Sequence, residues 1–270
     1  MFTLSAFLDV FVLASPGLHL HGAGMVSLAL SVPVGLLAGI LINYFADVLP
    51  ATRHLTRPVC PSCGRAFALK DYLLIGRCSH CGAKRPTRRW IVLAVAVILS
   101  GLMAIFPLPG LGYWGSLPLA IYLGVVAVID IEHHLVLVET SLFGLVLCFI
   151  YGVIMRGWLP TLRGGLGGLA VMLVLFFTGI LFSKIVGTLR GRNVSQVAFG
   201  FGDVFAGAFL GLLTGWPLIA GAIAVGMLVF AAYSLVYIAV LLVTKRYSAF
   251  ASALPLAPFL ILGAVVMLYL

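Results

Sequence analysis

Charged residues, and acidic ones above all, are scarce in this chain of 270 residues. Only 7 residues are Asp or Glu, and charged residues of both signs make up 9% of the sequence, whereas an ordinary soluble domain has about 25%. Hydrophobic residues make up 63% of the chain and the mean hydropathy is +1.23. This composition excludes an ordinary soluble domain and predicts an all-α polytopic protein of the lipid bilayer.

The positive charge that is present is concentrated in one segment. The formal net charge is +9, and nine of the 16 Lys and Arg residues lie between Arg53 and Arg89. A basic segment between apolar runs is typical of a cytoplasmic loop beside anionic lipid. With that loop inside and the helices alternating, 14 of the 16 basic residues fall on the cytoplasmic side. The pattern does not predict a nucleic-acid partner.

Long runs without charge predict about eight transmembrane helices, because a crossing takes about 20 helical residues. The runs are 25–46, 90–129 (broken around 107–110), 140–155, 164–183, 204–244 (broken around 214–217) and 247–270. We expect three parts: residues 1–46 with the first helix, a cytoplasmic loop over 47–90, and a membrane domain over 91–270. Residues 2–14 are apolar but short, which favours an interfacial segment over a signal peptide.

Four of the five cysteines form two Cys-x-x-Cys pairs in the basic loop. Cys60 and Cys63 form the first pair and Cys78 and Cys81 the second, and a glycine follows each pair. This zinc-ribbon spacing predicts four thiolates around one structural zinc ion, since a closed four-cysteine site has no open position for catalysis. Thiol redox chemistry is the alternative, and His80 could replace one ligand.

Two aspartates at the ends of apolar runs are the candidate catalytic residues. Asp130 ends the third predicted helix, and Asp203 begins the sixth, directly after Gly200 and Gly202. Acids in apolar spans are costly and mark functional sites. Both lie on the predicted cytoplasmic side and could meet. A pair of carboxylates that shares one proton can hydrolyse a peptide bond, because one activates water while the other polarises the carbonyl group.

Other interpretations of these acids stay open. Asp203 could simply cap its helix, with the glycines forming a turn, and Asp130 could be an interfacial charge. Glu132, His133 and His134 follow closely and are expected to be solvated, with a metal site as the alternative. A transporter would instead place its carboxylates near the midplane of the membrane.

Taken together, the motifs resemble the type IV prepilin peptidases, the GxGD-type aspartic proteases of bacterial inner membranes. The resemblance covers roughly residues 30–270. Gly200-Phe-Gly-Asp203 and the small-residue helix after it resemble the GxGD motif, and Ala127-Val-Ile-Asp130 resembles the first aspartate motif. Gly39-Ile-Leu-Ile-Asn43 and Pro255-Leu-Ala-Pro258 are similar to the segments before the cysteine loop and in the last helix. A presenilin-type protease fits less well, because Ile129-Asp130 replaces its Tyr-Asp.

The resemblance implies an activity, a substrate and a location. Such enzymes cut the basic leader from type IV prepilins and type II secretion pseudopilins at a Gly–Phe-like bond, on the cytoplasmic side of the inner membrane. Asp130 and Asp203 would be the catalytic pair. Many members also methylate the new N-terminus with S-adenosylmethionine, and no motif for that cofactor is readable in this chain.

Three stretches depart from the family pattern. Val136-Leu-Val138 stands where the family has Ile-Pro-Asp, with Glu139 just beyond. Asp47-Val48 replaces an Arg before the Leu-Pro that opens the loop. Arg89–Leu93 lacks the Glu that usually follows the loop. The methyltransferase activity therefore stays open, and a catalytically degenerate homologue acting in pilus or secretion assembly is the alternative to an active peptidase.

Overall fold

The structure is a computed structural model that describes residues 22–60, 62–67, 72, 78, 80–83, 86–190, 200–244 and 254–270. The described residues form eight α-helices, and their only β-structure is a single bridge between Val59 and Ala66. The prediction of an all-helical chain with eight helices is confirmed. The interfacial segment predicted for residues 2–14 lies outside the described residues.

The helix bounds agree with most of the predicted runs. The two breaks expected around 107–110 and 214–217 are both present. The eight helices are α1 (Gly22–Thr52), α2 (Arg88–Ile105), α3 (Gly112–His133), α4 (Val138–Arg156), α5 (Trp158–Arg190), α6 (Phe201–Thr214), α7 (Leu218–Thr244) and α8 (Ala257–Tyr269).

Two helices extend further than the charge pattern indicates. α1 continues past the expected boundary at Ala46 to Thr52, where the hydroxyl of Thr52 donates to the Val48 carbonyl oxygen at 3.0 Å. α5 continues past Ser183 to Arg190. Charge marks where a helix leaves the apolar layer, and a helix can project beyond that layer without ending.

Six of the described helices are long and apolar enough to cross a membrane, and α6 and α8 are shorter. α6 has 14 residues and α8 has 13, so each is near 20 Å long at about 1.5 Å per residue. A bilayer core is about 30 Å thick. Six long apolar helices define a multi-pass membrane protein in which two short helices complete the bundle.

α6 lies at the centre of the packing. It contacts α4, α5, α7 and α8, and its residues form much of the largest hydrophobic core. Small residues allow this close approach: a Cβ added to Gly164 on α5 would lie 2.3 Å from the carbonyl oxygen of Gly211 on α6. Glycine lets helix backbones pack closely in a membrane, where van der Waals contact drives association. α6 is therefore held tightly, with its N-terminal Asp203 in a defined place.

Candidate active site and metal centre

The four cysteines of the basic loop come together in space. Their sulfur atoms all lie within 4.8 Å of one another. Cys60 Sγ is 3.7 Å from Cys81 Sγ, and Cys63 Sγ is 3.8 Å from Cys78 Sγ. A tetrahedral zinc ion with Zn–S bonds of about 2.3 Å separates its sulfurs by about 3.8 Å. The four cysteines thus form a cluster whose size suits a metal ion such as zinc.

Two turns of the same design build the cluster. The Gly64 N–H donates to the Cys60 carbonyl oxygen at 2.8 Å, and the Gly82 N–H donates to the Cys78 carbonyl oxygen at 2.9 Å. Gly64 and Gly82 have φ angles of +71° and +68°. That left-handed conformation favours glycine, which explains the glycine after each pair. Each turn directs two sulfurs to one point, as the spacing predicts.

Hydrogen bonds from backbone N–H groups also shift the pKa values of the cysteine thiols. The N–H groups of Ser62 and Cys63 lower the pKa of Cys60, and those of Cys81 and His80 lower the pKa of Cys78 to about 6. The Ala83 N–H acts the same way on Cys81, yet burial and the neighbouring thiols raise the pKa of Cys81 to about 12. A bound divalent metal would hold all four cysteines as thiolates and would offset the repulsion between them.

The histidine in the second cysteine pair is not part of the cluster. The His80 ring contacts the Arg65 guanidinium instead. Within the described part of the chain, the four cysteines are the one group of metal-ligand side chains close enough to share an ion. Glu132, His133 and His134 do not form a second such group, and Glu132 pairs with Arg88.

Asp130 lies in the last turn of α3 and is buried, at 4% exposure. Its Oδ2 accepts the backbone N–H of Ala257 at 2.9 Å. Ala257 begins α8, so the carboxylate binds at a helix N-terminus, where unpaired N–H groups are available. Sequence reasoning missed this partner because a backbone N–H leaves no side-chain signal. The one feature of the sequence that points to this contact is the pair Pro255 and Pro258, which determines where α8 begins.

Asp203 is the third residue of α6 and is half-buried. Its Oδ2 accepts the Gly200 N–H at 3.1 Å, and its own N–H donates to the Gly200 carbonyl oxygen at 3.1 Å. The N-cap residue of α6 is therefore Gly200 and not Asp203; Asp203 is at the third helical position, from which its carboxylate binds back to the N-cap N–H. The cap fixes the carboxylate on the first turn of α6.

The two aspartates are near one another although 72 residues separate them in the chain. They lie within electrostatic range of each other, so that a negative charge on one carboxylate disfavours a negative charge on the other. Close packing beside them joins their helices: a Cβ added to Gly202 would lie 2.7 Å from Val136 Cβ. Val136 lies in the turn between α3 and α4. The segment that follows α3 is thus packed directly against the first turn of α6.

Val136 is the residue at this site that sequence reasoning did not assign a role. It belongs to the stretch that departs from the Ile-Pro-Asp of the family that the sequence motifs resemble. In this structure α3 ends just before the stretch, where His134 has a φ of +51° and donates its N–H to the Asp130 carbonyl oxygen at 2.9 Å. Leu137 is extended, and α4 begins at Val138. Glu139 follows the turn and lies 3.6 Å from Arg53, half-exposed. The departure therefore does not prevent the two aspartates from approaching each other.

The fold and the cysteine cluster define the chain as a multi-pass membrane protein with a four-cysteine loop that could hold a metal ion. The chain is 30% identical over 165 residues to the prepilin leader peptidase/N-methyltransferase of Pectobacterium carotovorum subsp. carotovorum. The match covers 58% of this chain and 56% of that protein, so the chain spans little more than half the length of this curated relative. No family model and no solved structure matches the chain. The similarity agrees with the resemblance carried by the motifs.

Proposed function

We propose that the protein is a membrane aspartic endopeptidase that removes the basic leader of type IV prepilins and type II secretion pseudopilins. Cleavage would fall at a Gly–Phe-like bond on the cytoplasmic side of the bacterial inner membrane. The observation that carries the proposal is the approach of Asp130 and Asp203 at the ends of α3 and α6. The similarity to a protein named as a prepilin leader peptidase supports the choice of substrate.

The proposed chemistry uses both carboxylates. One carboxylate takes a proton from a water molecule, which attacks the scissile carbonyl carbon, while the protonated partner donates a hydrogen bond to the carbonyl oxygen. The proton taken from water then passes to the amide nitrogen as the C–N bond breaks, which releases the leaving amine. In the described hydrogen bonds each aspartate uses Oδ2 for a backbone N–H. These bonds fix the orientation of both carboxylates before substrate arrives.

The cysteine cluster has a separate, structural part in the proposal. Cys60, Cys63, Cys78 and Cys81 would hold one zinc ion, and the ion would staple a loop too short to have a large core of its own. The four thiolates leave no open coordination position. Every step of peptide hydrolysis therefore falls to the aspartates.

The positive charge of the cysteine loop indicates on which side of the membrane the loop lies. Nine basic residues lie in the cysteine loop and its borders, and basic loops stay in the cytoplasm. Asp47 at the end of α1 and Glu132 at the end of α3 bind the same arginine, Arg88. The loop and Asp130 therefore belong to the same end of the bundle, which is where a leader peptide remains before export.

The alternatives predict different results. A catalytically degenerate homologue would bind prepilin without cutting it. A transporter would have its acids near the midplane, whereas Asp130 and Asp203 lie in the last turn of α3 and the first turn of α6. N-methylation of the new N-terminus, with S-adenosylmethionine as methyl donor, is the second activity that the relative's name carries, and the product's mass tests it directly.

The test is cleavage of a prepilin with a basic leader and a Gly–Phe junction in membranes that contain the full chain. We expect wild type to cut it, and Asp130→Asn and Asp203→Asn to accumulate uncut prepilin. Glu139→Gln is the matched control, because it removes a nearby acid that pairs only with exposed Arg53. Mass spectrometry of the product reads the cut position and any added methyl group. No cleavage by folded wild type, or cleavage by either aspartate variant, would contradict the proposal.

A further inference from the structure

One arginine joins three helices at the end of the bundle that holds the cysteine loop. Arg88 is the first residue of α2, and its side chain is 16% exposed. Its Nη2 donates to Asp47 on α1, and its Nη1 donates to Glu132 on α3. No other basic side chain in the described part of the chain pairs with two carboxylates. The planar guanidinium suits this task, because its nitrogens can serve two acceptors at once.

The same network reaches into the cysteine loop through Tyr72. The Tyr72 hydroxyl donates to Asp47 Oδ2 at 2.8 Å, and its ring packs with Phe67, Cys60 and Cys78 in the loop's small core. The Arg89 guanidinium lies 4.0 Å above the Tyr72 ring. Burial, with the negative charge of Asp47, raises the pKa of Tyr72, so its hydroxyl stays a donor. Movement of the loop core would therefore displace Asp47 as well.

The far end of the network lies beside the candidate active site. Glu132 follows Asp130 by two residues, on the same last turn of α3. α2 packs along α1 and touches α3 only sparingly, whereas α1 packs directly against α3, where Ile42 and Ile129 lie in one hydrophobic core. The ion pair from Arg88 to Glu132 adds a polar connection between α2 and the last turn of α3, beside that core. Half-buried pairs of this kind are screened less than exposed ones.

We propose that Arg88 is a positioning residue that couples the four-cysteine loop to the end of α3 and so sets the place of Asp130 relative to Asp203. The inference rests on the proposed peptidase function for its kinetic part only. Arg88 touches neither reacting carboxylate; it acts through Glu132 and Asp47. Disorder in the loop would then reduce catalysis through this arginine rather than through loss of folding.

The structural test is hydrogen exchange of the full chain in lipid nanodiscs, which needs no activity. Cys63→Ser/Cys81→Ser perturbs the loop, and Arg88→Gln breaks the connection. We expect each to speed exchange in peptides covering residues 126–137, and the combined variant to be no faster than Arg88→Gln alone. Arg53→Gln is the matched control, since it breaks only an exposed pair with Glu139. Faster exchange confined to the loop, or equal effects of both arginine variants, would overturn the proposal.

The kinetic test is a double-mutant cycle with Arg88→Gln and Glu132→Gln. We expect each to lower kcat by about 10-fold, as a small misplacement of a catalytic group does, with KM within twofold of wild type. The double variant should be no slower than either single variant. A merely structural role would lower the amount of folded protein and leave kcat unchanged. If wild type cuts no prepilin, the proposed function fails while the exchange result still decides the coupling.

Discussion

We expect Gly202→Ala to reduce activity more than any other substitution at the site that adds only one methyl group. The Cβ of Gly202→Ala would lie 2.7 Å from Val136 Cβ, 3.1 Å from Val136 O and 3.3 Å from Val136 N. Carbon atoms in contact sit about 3.5 to 4.0 Å apart. Two of the three atoms are backbone, so no rotamer change relieves the clash, and the first turn of α6 must move by about 1 Å.

Because Gly202 directly precedes Asp203 in the chain, this movement would also displace Asp203. Since a 1 Å misplacement can reduce a rate by about 100-fold, we expect kcat/KM for prepilin cleavage to fall by that order. Overpacking of this kind also costs about 1 to 3 kcal/mol of stability, which thermal unfolding in detergent would measure. Activity must therefore be normalised to folded protein.

Gly200→Ala is the matched control for this prediction. Its added Cβ would meet nothing nearer than Asp203 Oδ2 at 3.7 Å, an ordinary contact. The φ of Gly200 is −76°, which any residue adopts. We expect a loss of activity far smaller than that of Gly202→Ala. Wild-type activity in Gly202→Ala, or equal losses in the two variants, would refute the reasoning that the approach of Val136 is what requires glycine here.

Three further predictions concern the metal, its pH dependence and the helix packing. Cys60→Ser or Cys81→Ser should abolish bound zinc measured by elemental analysis, whereas Cys148→Ser, a buried thiol outside the cluster, should retain it; equal zinc in all three would contradict the assignment. Hydrogen bonds lower the pKa of Cys78 to about 6, whereas the pKa of Cys81 is raised to about 12. Zinc binds cysteines as thiolates, so protons compete with zinc for the cluster. Bound zinc should therefore decrease as the pH is lowered, and a zinc content that stays the same from neutral to acid pH would contradict the site. Gly164→Val should lower the thermal unfolding temperature, because its Cβ would lie 2.3 Å from the Gly211 carbonyl oxygen. Gly101→Ala should not lower it, because the nearest neighbour of its Cβ would be 4.0 Å away. Similar unfolding temperatures of the two variants would show that the α5–α6 contact is not tight.

The features that the sequence predicts are those that local residue spacing and composition determine. The cysteine cluster follows from two short Cys-x-x-Cys pairs, because each pair folds with its own turn and glycine. Asp130 and Asp203 stand out because acids are scarce in apolar runs. The breaks near Pro107 and Pro217 follow from residues that interrupt helices.

What the sequence could not predict depends on contacts between distant segments. The Ala257 N–H that binds Asp130 carries no side-chain signal. The packing of Val136 on Gly202 joins two turns far apart in the chain, and the pairing of Arg88 with Asp47 and Glu132 joins three helices. In the sequence Arg88 is one of nine basic residues in a cluster, and nothing pairs it with Asp47. In the structure the Asp47 carboxylate and the Arg88 guanidinium form an ion pair, and both side chains are half-buried.

The most direct test of the central claim, that Asp130 and Asp203 act as one catalytic pair, is a comparison of kcat/KM for Asp130→Asn, Asp203→Asn and the double variant. Residues that act as a unit give non-additive losses. We predict that either single variant abolishes prepilin cleavage and that the double variant is no worse. Appreciable cleavage by either single variant, or losses that multiply in the double variant, would contradict the account.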